Sequence, residues 1–345
     1  MFRRPKAFTI IELLVVIAIL GLLLALLLPA VATSRHASRR AQCGNHLRQL
    51  GVALTNYHAS HACFPPGMVS ASGYLANGEA TGFTMLLPYI AMDQVAADYD
   101  FDVPWYHENN DRAVAAQVPV FYCPANRTDG RMNLSEIGET WASRLPAWVA
   151  TMDYAFCKGA NAGLSHRADH LPLAVRGPFD VNSRVRFRDM KDGTSTIAIG
   201  EAAGGDGTFF VRDIANPGRP VIDVTTGRPV YIEQAWSAGC VTSDAYPYYG
   251  SVFAVSAQYG LPPYPRPEPL NPSDRLIAPT VDGNDSLDNR NGRDWVSGFR
   301  SMHPGGVHFL FCDGSVHFLR EGNDAGVFQS LSTYADGNAV SIDGL

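Results

Sequence analysis

The feature that most limits this chain is a run of 20 residues without a charge, Leu13 to Ala32. As a helix it rises about 30 Å, enough to cross the hydrocarbon core of a bilayer. Arg3, Arg4 and Lys6 precede it, and Arg35, Arg39 and Arg40 follow. The leading basic flank argues for an amino end in the cytoplasm, while the trailing arginines weaken that asymmetry. A secretory signal peptide is shorter and closes on a small-x-small cleavage site, which does not follow cleanly here. The 46% apolar content of the 345 residues is concentrated in this segment, so the remainder is a more polar molecule. The formal charge of −6 carries no broad basic footprint and excludes nucleic acid as a partner.

Glu12 is the anomaly. A carboxylate against an apolar run is costly unless something pairs with it. A cut between Ala7 and Phe8 creates an amino group four residues before Glu12, one helical turn away on the same face. That amine is placed to neutralise Glu12 of its own chain or of a neighbouring subunit. The other reading of the residues is a plain anchor with a juxtamembrane acid.

The segment KAFTIIELLVVIAIL closely resembles the processing site of type IV pilins and type II secretion pseudopilins. The resemblance implies a prepilin peptidase that cuts before Phe8 and methylates the new amino group, with Glu12 as the acid used in assembly. One position departs: Gly normally precedes the cut, and Ala7 stands there. Cleavage would remove three of the 27 basic residues and no acidic one, taking the formal charge from −6 to −9.

Beyond Pro29, which removes one intrahelical hydrogen bond, Cys43, Leu47, Leu50, Leu54 and Tyr57 are spaced as one stripe of a helix. The spacing predicts one helix over about 9–60, its first half in lipid or against other subunits and its second half under a globular head. FPPG at Phe64 to Gly67 ends it. Short helices are expected over Phe83–Val95 and Arg112–Gln117, and strands over Val185–Phe187 and Thr196–Gly200 with a turn at Asp192-Gly193. The stretch from Gly204 to Arg300, rich in Gly, Pro and Asp, reads as an inserted or peripheral region. VHFLFCDGSVHFL is a hairpin. A two-residue turn at Asp313-Gly314 predicts pairing of Phe311 with Val316 and Phe309 with Phe318. His308, Leu310, His317 and Leu319 then share the other face. The histidines read as satisfied sheet residues.

HPGG at His303 to Gly306 followed by Asp313-Gly314, with nine residues between His303 and Asp313, resembles the C-terminal signature of a large planctomycete pilin-like family of unknown function. NHLRQLGVALTNYH, FPPG, LLPYI, FYCP and DGTSTIAIGE match it too. The resemblance implies an α+β pilin-like fold: a long N-terminal helix on an antiparallel sheet, with an enlarged loop-rich head. The chain divides into a leader (1–7), an assembly half of the helix (8–32), its outer half (33–60) and a head (61–345) holding the 301–320 hairpin.

Six widely spread cysteines allow 15 full pairings, and free buried thiols are the alternative. None has the spacing of a metal motif. The family resemblance implies that Cys43 and Cys123 pair, tying stem to head. Asp282, Asn284, Asp285, Asp288, Asn289, Asn291 and Asp294 are oxygen-rich, and calcium is the ligand such a stretch would take. The EF-hand pattern fails, because Leu287 replaces its turn glycine and no Glu closes the loop. A solvated loop is the competing reading.

No GxSxG, HExxH, phosphate loop or dinucleotide fingerprint is present. His303 and Asp313 are expected to approach across the start of the hairpin, as a structural contact rather than a catalytic pair. The chain therefore reads as a structural subunit and not an enzyme. It is held in the inner membrane as a single-pass precursor with its head in the periplasm or outside the cell, and its partners are other pilin-like subunits. The alternative is a stalked binding module, with Tyr246, Tyr248, Tyr249, Tyr259 and Tyr264 as a platform for extracellular polysaccharide.

Overall fold

The computed structural model describes residues 10–70, 79–134, 144–160, 171–205, 207–211, 216, 218–222, 227–241, 248–258, 266–267, 270–271, 276–277, 297–340 and 342. A single stem helix runs Ile10–His61 and continues through Pro29. Every residue from Ile10 to Gln42 is exposed, and burial begins at Cys43. The anticipated stripe is the buried one: Cys43, Leu47, Leu50 and Leu54 are all at most 2% exposed. Gly44 and Gly51 share it. A Cβ on Gly51 would lie 2.7 Å from Leu310 Cδ1, so the missing side chain lets the sheet approach the helix.

The stem lies on a six-stranded sheet. Its strands, in chain order, are β1 (Tyr154–Gly159), β2 (Ile197–Glu201), β3 (Phe253–Val255), β4 (Ser297–Gly298), β5 (Gly306–Phe311) and β6 (Val316–Arg320). The spatial order is β4-β3-β1-β2-β5-β6. The run β1-β2-β5-β6 is antiparallel. At the other edge β3 lies parallel to both β1 and β4. The region after Gly204 is thus not wholly peripheral, because Phe253–Val255 is entirely buried and pairs with the sheet's centre. The same region supplies all of a second sheet of five short strands, ordered Leu276–Ile277, Phe210–Val211, Tyr231–Ile232, Tyr248–Ser251, Cys240–Val241.

Alternation sorts the central sheet into two layers. Tyr154, Phe156, Ile199 and Leu310 join the stem-side core. Ala155, Cys157, Val307, Phe309, Phe311 and Leu319 join the opposite core, covered by a C-terminal helix (Ala325–Ser332) through Phe328 and Leu331. Asp324 caps that helix, accepting from the backbone nitrogens of Gly326 and Val327 at 2.8 and 3.1 Å. Between Leu310 and Phe311 the pairing slips by one residue, a bulge that leaves Ala198 over and turns Ile197 to the far layer.

Four local expectations are corrected. In the hairpin Leu310 pairs with Val316, Phe309 with His317 and His308 with Phe318. The loop is three residues long, closed by Gly314 N–H to Phe311 O (2.9 Å) and Phe311 N–H to Ser315 O (2.9 Å), with Gly314 at φ +86°. That is a type I turn with a glycine bulge, and it moves His308, Leu310, Val316 and Phe318 together onto one face. Val185–Phe187 is no strand. Val185 O accepts from Phe64 N–H, and Phe187 opens a 3-10 turn and packs against His58 and Phe64 at the end of the stem. Phe83–Val95 is three pieces, Gly82–Leu86, a 3-10 turn Leu87–Ile90 and Asp93–Ala97, because Pro88 removes an amide and Ala91 is left-handed at φ +58°. The expected Arg112–Gln117 helix is the single turn Asp111–Val114.

Candidate functional site

Where the stem helix first meets the sheet, four separated pieces of sequence converge on one buried polar cluster. Cys43 comes from the stem and Cys123 from the FYCP loop, and their sulfurs are bonded, with Cα atoms 4.9 Å apart. Glu201 ends β2, pointing like Ile199 toward the stem side. His303 lies in the turn before β5, and His308 is within it. All five are buried.

Glu201 organises the group. Its Oε1 accepts from His303 Nε2 at 3.3 Å and from His308 Nδ1 at 3.1 Å, and its Oε2 accepts from the His308 backbone N–H at 3.0 Å. Cys123 Sγ lies 3.4 Å from Oε1 and 3.5 Å from His303 Nε2. Burial alone lifts the Glu201 carboxyl, but the hydrogen bonds from His303 and His308 outweigh it and bring it to about 2. The His308 ring packs edge-on to Phe318, and the Arg40 guanidinium sits 3.4 Å above the Phe318 ring centroid. That stack joins the emerging helix to the edge strand.

A second layer holds the FYCP loop. The Cys123 backbone N–H donates to Asp153 Oδ2 at 3.0 Å, and Asn126 Nδ2 donates to Oδ1 at 2.9 Å. Arg127 bridges Asp153 (2.7 Å) and Glu233 (2.6 Å). Burial pushes the Asp153 carboxyl up to about 6, against the pull of Arg127. Tyr154 Oη donates to Cys43 O at 3.4 Å, and His46 Nδ1 contacts Tyr122 O at 2.8 Å.

The signature motifs are separated by this geometry. His303 is at the start of the hairpin, buried, with its N–H on Ser301 Oγ at 3.1 Å. Asp313 is at the tip, where its Oδ1 accepts from Ser315 N–H at 2.8 Å. The six residues of β5 set them about 20 Å apart, so the expected His303–Asp313 approach does not occur. HPGG is a backbone device. Gly305 has φ +81°, and a Cβ on Gly306 would lie 2.2 Å from Leu319 O. Glu201 and His308 carry no warning in isolation. The one local signal was that DGTSTIAIGE closes an apolar strand on a carboxylate, Glu201.

Glu12 lies in the first turn of the stem helix, where a carboxylate suits the helix dipole. Ala7, Phe8, the Asp282–Asp294 stretch, Tyr246, Tyr259 and Tyr264 lie outside the described residues, as do the side chains of Tyr248 and Tyr249. Cys63 is a half-buried free thiol, and Cys157 and Cys312 are buried free thiols. Among the described residues one helix, the stem, is long and apolar enough to cross a membrane. One group there has metal-ligand spacing, Cys43, Cys123, Glu201 and His303, whose donor atoms all lie within 4.8 Å of one another. No catalytic signature accompanies it among those residues.

Residues 2–28 match the prokaryotic N-terminal methylation motif. Residues 32–326 match a family described as protein of unknown function (DUF1559), a span that contains all five residues of the buried cluster. No curated protein and no solved structure matched the chain. The chain belongs to the DUF1559 family.

Proposed function

We propose that this member of the DUF1559 family is a structural pilin- or pseudopilin-like subunit. The precursor is held in the inner membrane by the first half of its stem helix, with the head in the periplasm or outside the cell. A prepilin peptidase cuts between Ala7 and Phe8 and methylates the new amino group. The freed helix then joins a bundle of like helices in a filament or secretion-associated pseudopilus. Glu12 pairs with an N-terminal amine there and sets the axial register.

The observation that supports this reading is the unbroken exposure of the stem from Ile10 to Gln42. A helix with an apolar surface that its own head never covers needs a partner from outside the fold. Lipid serves in the precursor and neighbouring stems serve in the assembly. The test is Glu12→Ala in the native cell. The account expects a folded, membrane-held head and no filaments or pseudopili in the sheared fraction. Normal assemblies from that variant would contradict the role given to Glu12.

A further inference from the structure

The pocket around the disulfide has more polar chemistry than a disulfide needs. Three of its edges have the dimensions of a metal polyhedron: Cys123 Sγ to Glu201 Oε1 is 3.4 Å, Cys123 Sγ to His303 Nε2 is 3.5 Å, and Glu201 Oε1 to His303 Nε2 is 3.3 Å. Tetrahedral zinc, with bonds of about 2.0–2.3 Å, sets its ligand atoms about 3.3–3.8 Å apart. Cys43 Sγ, bonded to Cys123 Sγ, is the fourth atom, and all four donor atoms lie within 4.8 Å of one another.

We propose that reduction of the Cys43–Cys123 bond converts this pocket into a zinc-class metal site formed by Cys43 Sγ, Cys123 Sγ, Glu201 Oε1 and His303 Nε2. The reductant is a dithiol. Two electrons and two protons pass from it to the protein sulfurs, and the reductant becomes a disulfide. Zinc then displaces the two thiol protons and binds two thiolates, one carboxylate oxygen and one imidazole nitrogen. The His303 proton that faces Glu201 moves to Nδ1, leaving the Nε2 lone pair for the metal. His308 keeps its place behind the site, orienting the carboxylate through its ring and backbone nitrogens. Two thiolates and an imidazole favour zinc over calcium or magnesium, which take oxygen ligands. The disulfide and the metal are mutually exclusive occupants of one pocket.

The test uses the full chain in detergent, reduced anaerobically, freed of reductant and titrated with cobalt(II) as a spectroscopic stand-in and then with zinc. The expected result is one metal per chain, thiolate-to-cobalt charge transfer with a tetrahedral d–d band, and a zinc-dependent rise in the melting temperature. The oxidised chain should show none of these. His303→Ala and Cys123→Ser should each weaken binding by at least tenfold, while Cys63→Ser leaves it unchanged. Equal binding by the oxidised chain, or binding indifferent to His303→Ala and Cys123→Ser, would overturn the proposal. So would a reduced chain that takes up no metal, whether it stays folded or unfolds and is not restored by zinc.

Discussion

His308 holds both oxygens of Glu201: its ring Nδ1 donates to Oε1 at 3.1 Å and its backbone N–H donates to Oε2 at 3.0 Å. One residue of the hairpin thereby fixes a buried carboxylate in position and rotation. The same oxygen takes His303, so the start of the hairpin, the end of β2 and the stem-to-head disulfide share one anchor. In a low-dielectric setting such a fully bonded group specifies a unique arrangement, and losing one member leaves the others unsatisfied.

Glu201→Ala should therefore destabilise the chain by about 3–5 kcal/mol, the cost of stranding buried polar partners. Glu201→Gln should cost less, about 1.5–3 kcal/mol, because it keeps an acceptor and loses the charge. Chemical denaturation of the oxidised chain measures both. Removing the exposed Arg186–Asp189 pair should leave the midpoint unchanged. A Glu201→Ala chain as stable as the parent would contradict the anchoring role.

The pH dependence follows from two buried carboxyls of opposite sign. Glu201 is depressed from 4.5 to about 2. Its contribution is full above pH 4.5 and is lost as the pH falls through 2, an effect on the order of 3 kcal/mol. Asp153 is raised from 3.8 to about 6, so its contribution is full below pH 3.8 and is lost as the pH rises through 6. Unfolding midpoints from pH 7 to 2 should show the loss concentrated below about pH 4, and Glu201→Gln should flatten that limb. Asp153→Asn should flatten the slope between about 3.8 and 6.

The Cys43–Cys123 bond spans 80 residues. Its reduction in the presence of a chelator should lower stability by about 4.5 kcal/mol through the freed unfolded chain. Melting curves with and without reductant read this directly. Identical curves would mean that the stem is held to the head without the bond.

The signature glycines should separate. Gly306→Ala sets a Cβ against Leu319 O and forces backbone apart, a cost of about 2–3 kcal/mol. Gly305→Ala meets open space and carries only the strain of φ +81°, about 1 kcal/mol. Equal effects in denaturation would contradict the role assigned to the close approach.

How much of this was legible differs by element. The stem stripe at Cys43, Leu47, Leu50 and Leu54 was readable because helical periodicity reports burial directly. Both strands of the hairpin were readable, but their register was not. Asp313-Gly314 suits a two-residue turn and a three-residue turn alike, and one residue exchanges the two faces. Val185 to Phe187 alternates like a strand, yet it caps the helix end, a tertiary contact that local pattern does not carry. The convergence of Cys123, Glu201 and His303 was hidden for the same reason. Intervals of 78 and 102 residues close only through the sheet order.

The central claim is that the chain is processed and assembled through its N-terminal helix. The most direct measurement is the N-terminal mass of the protein purified from its native membrane. The account predicts a chain lacking its first seven residues and beginning with methylated Phe8. A chain that retains Met1 would contradict it and leave the stem as a plain anchor.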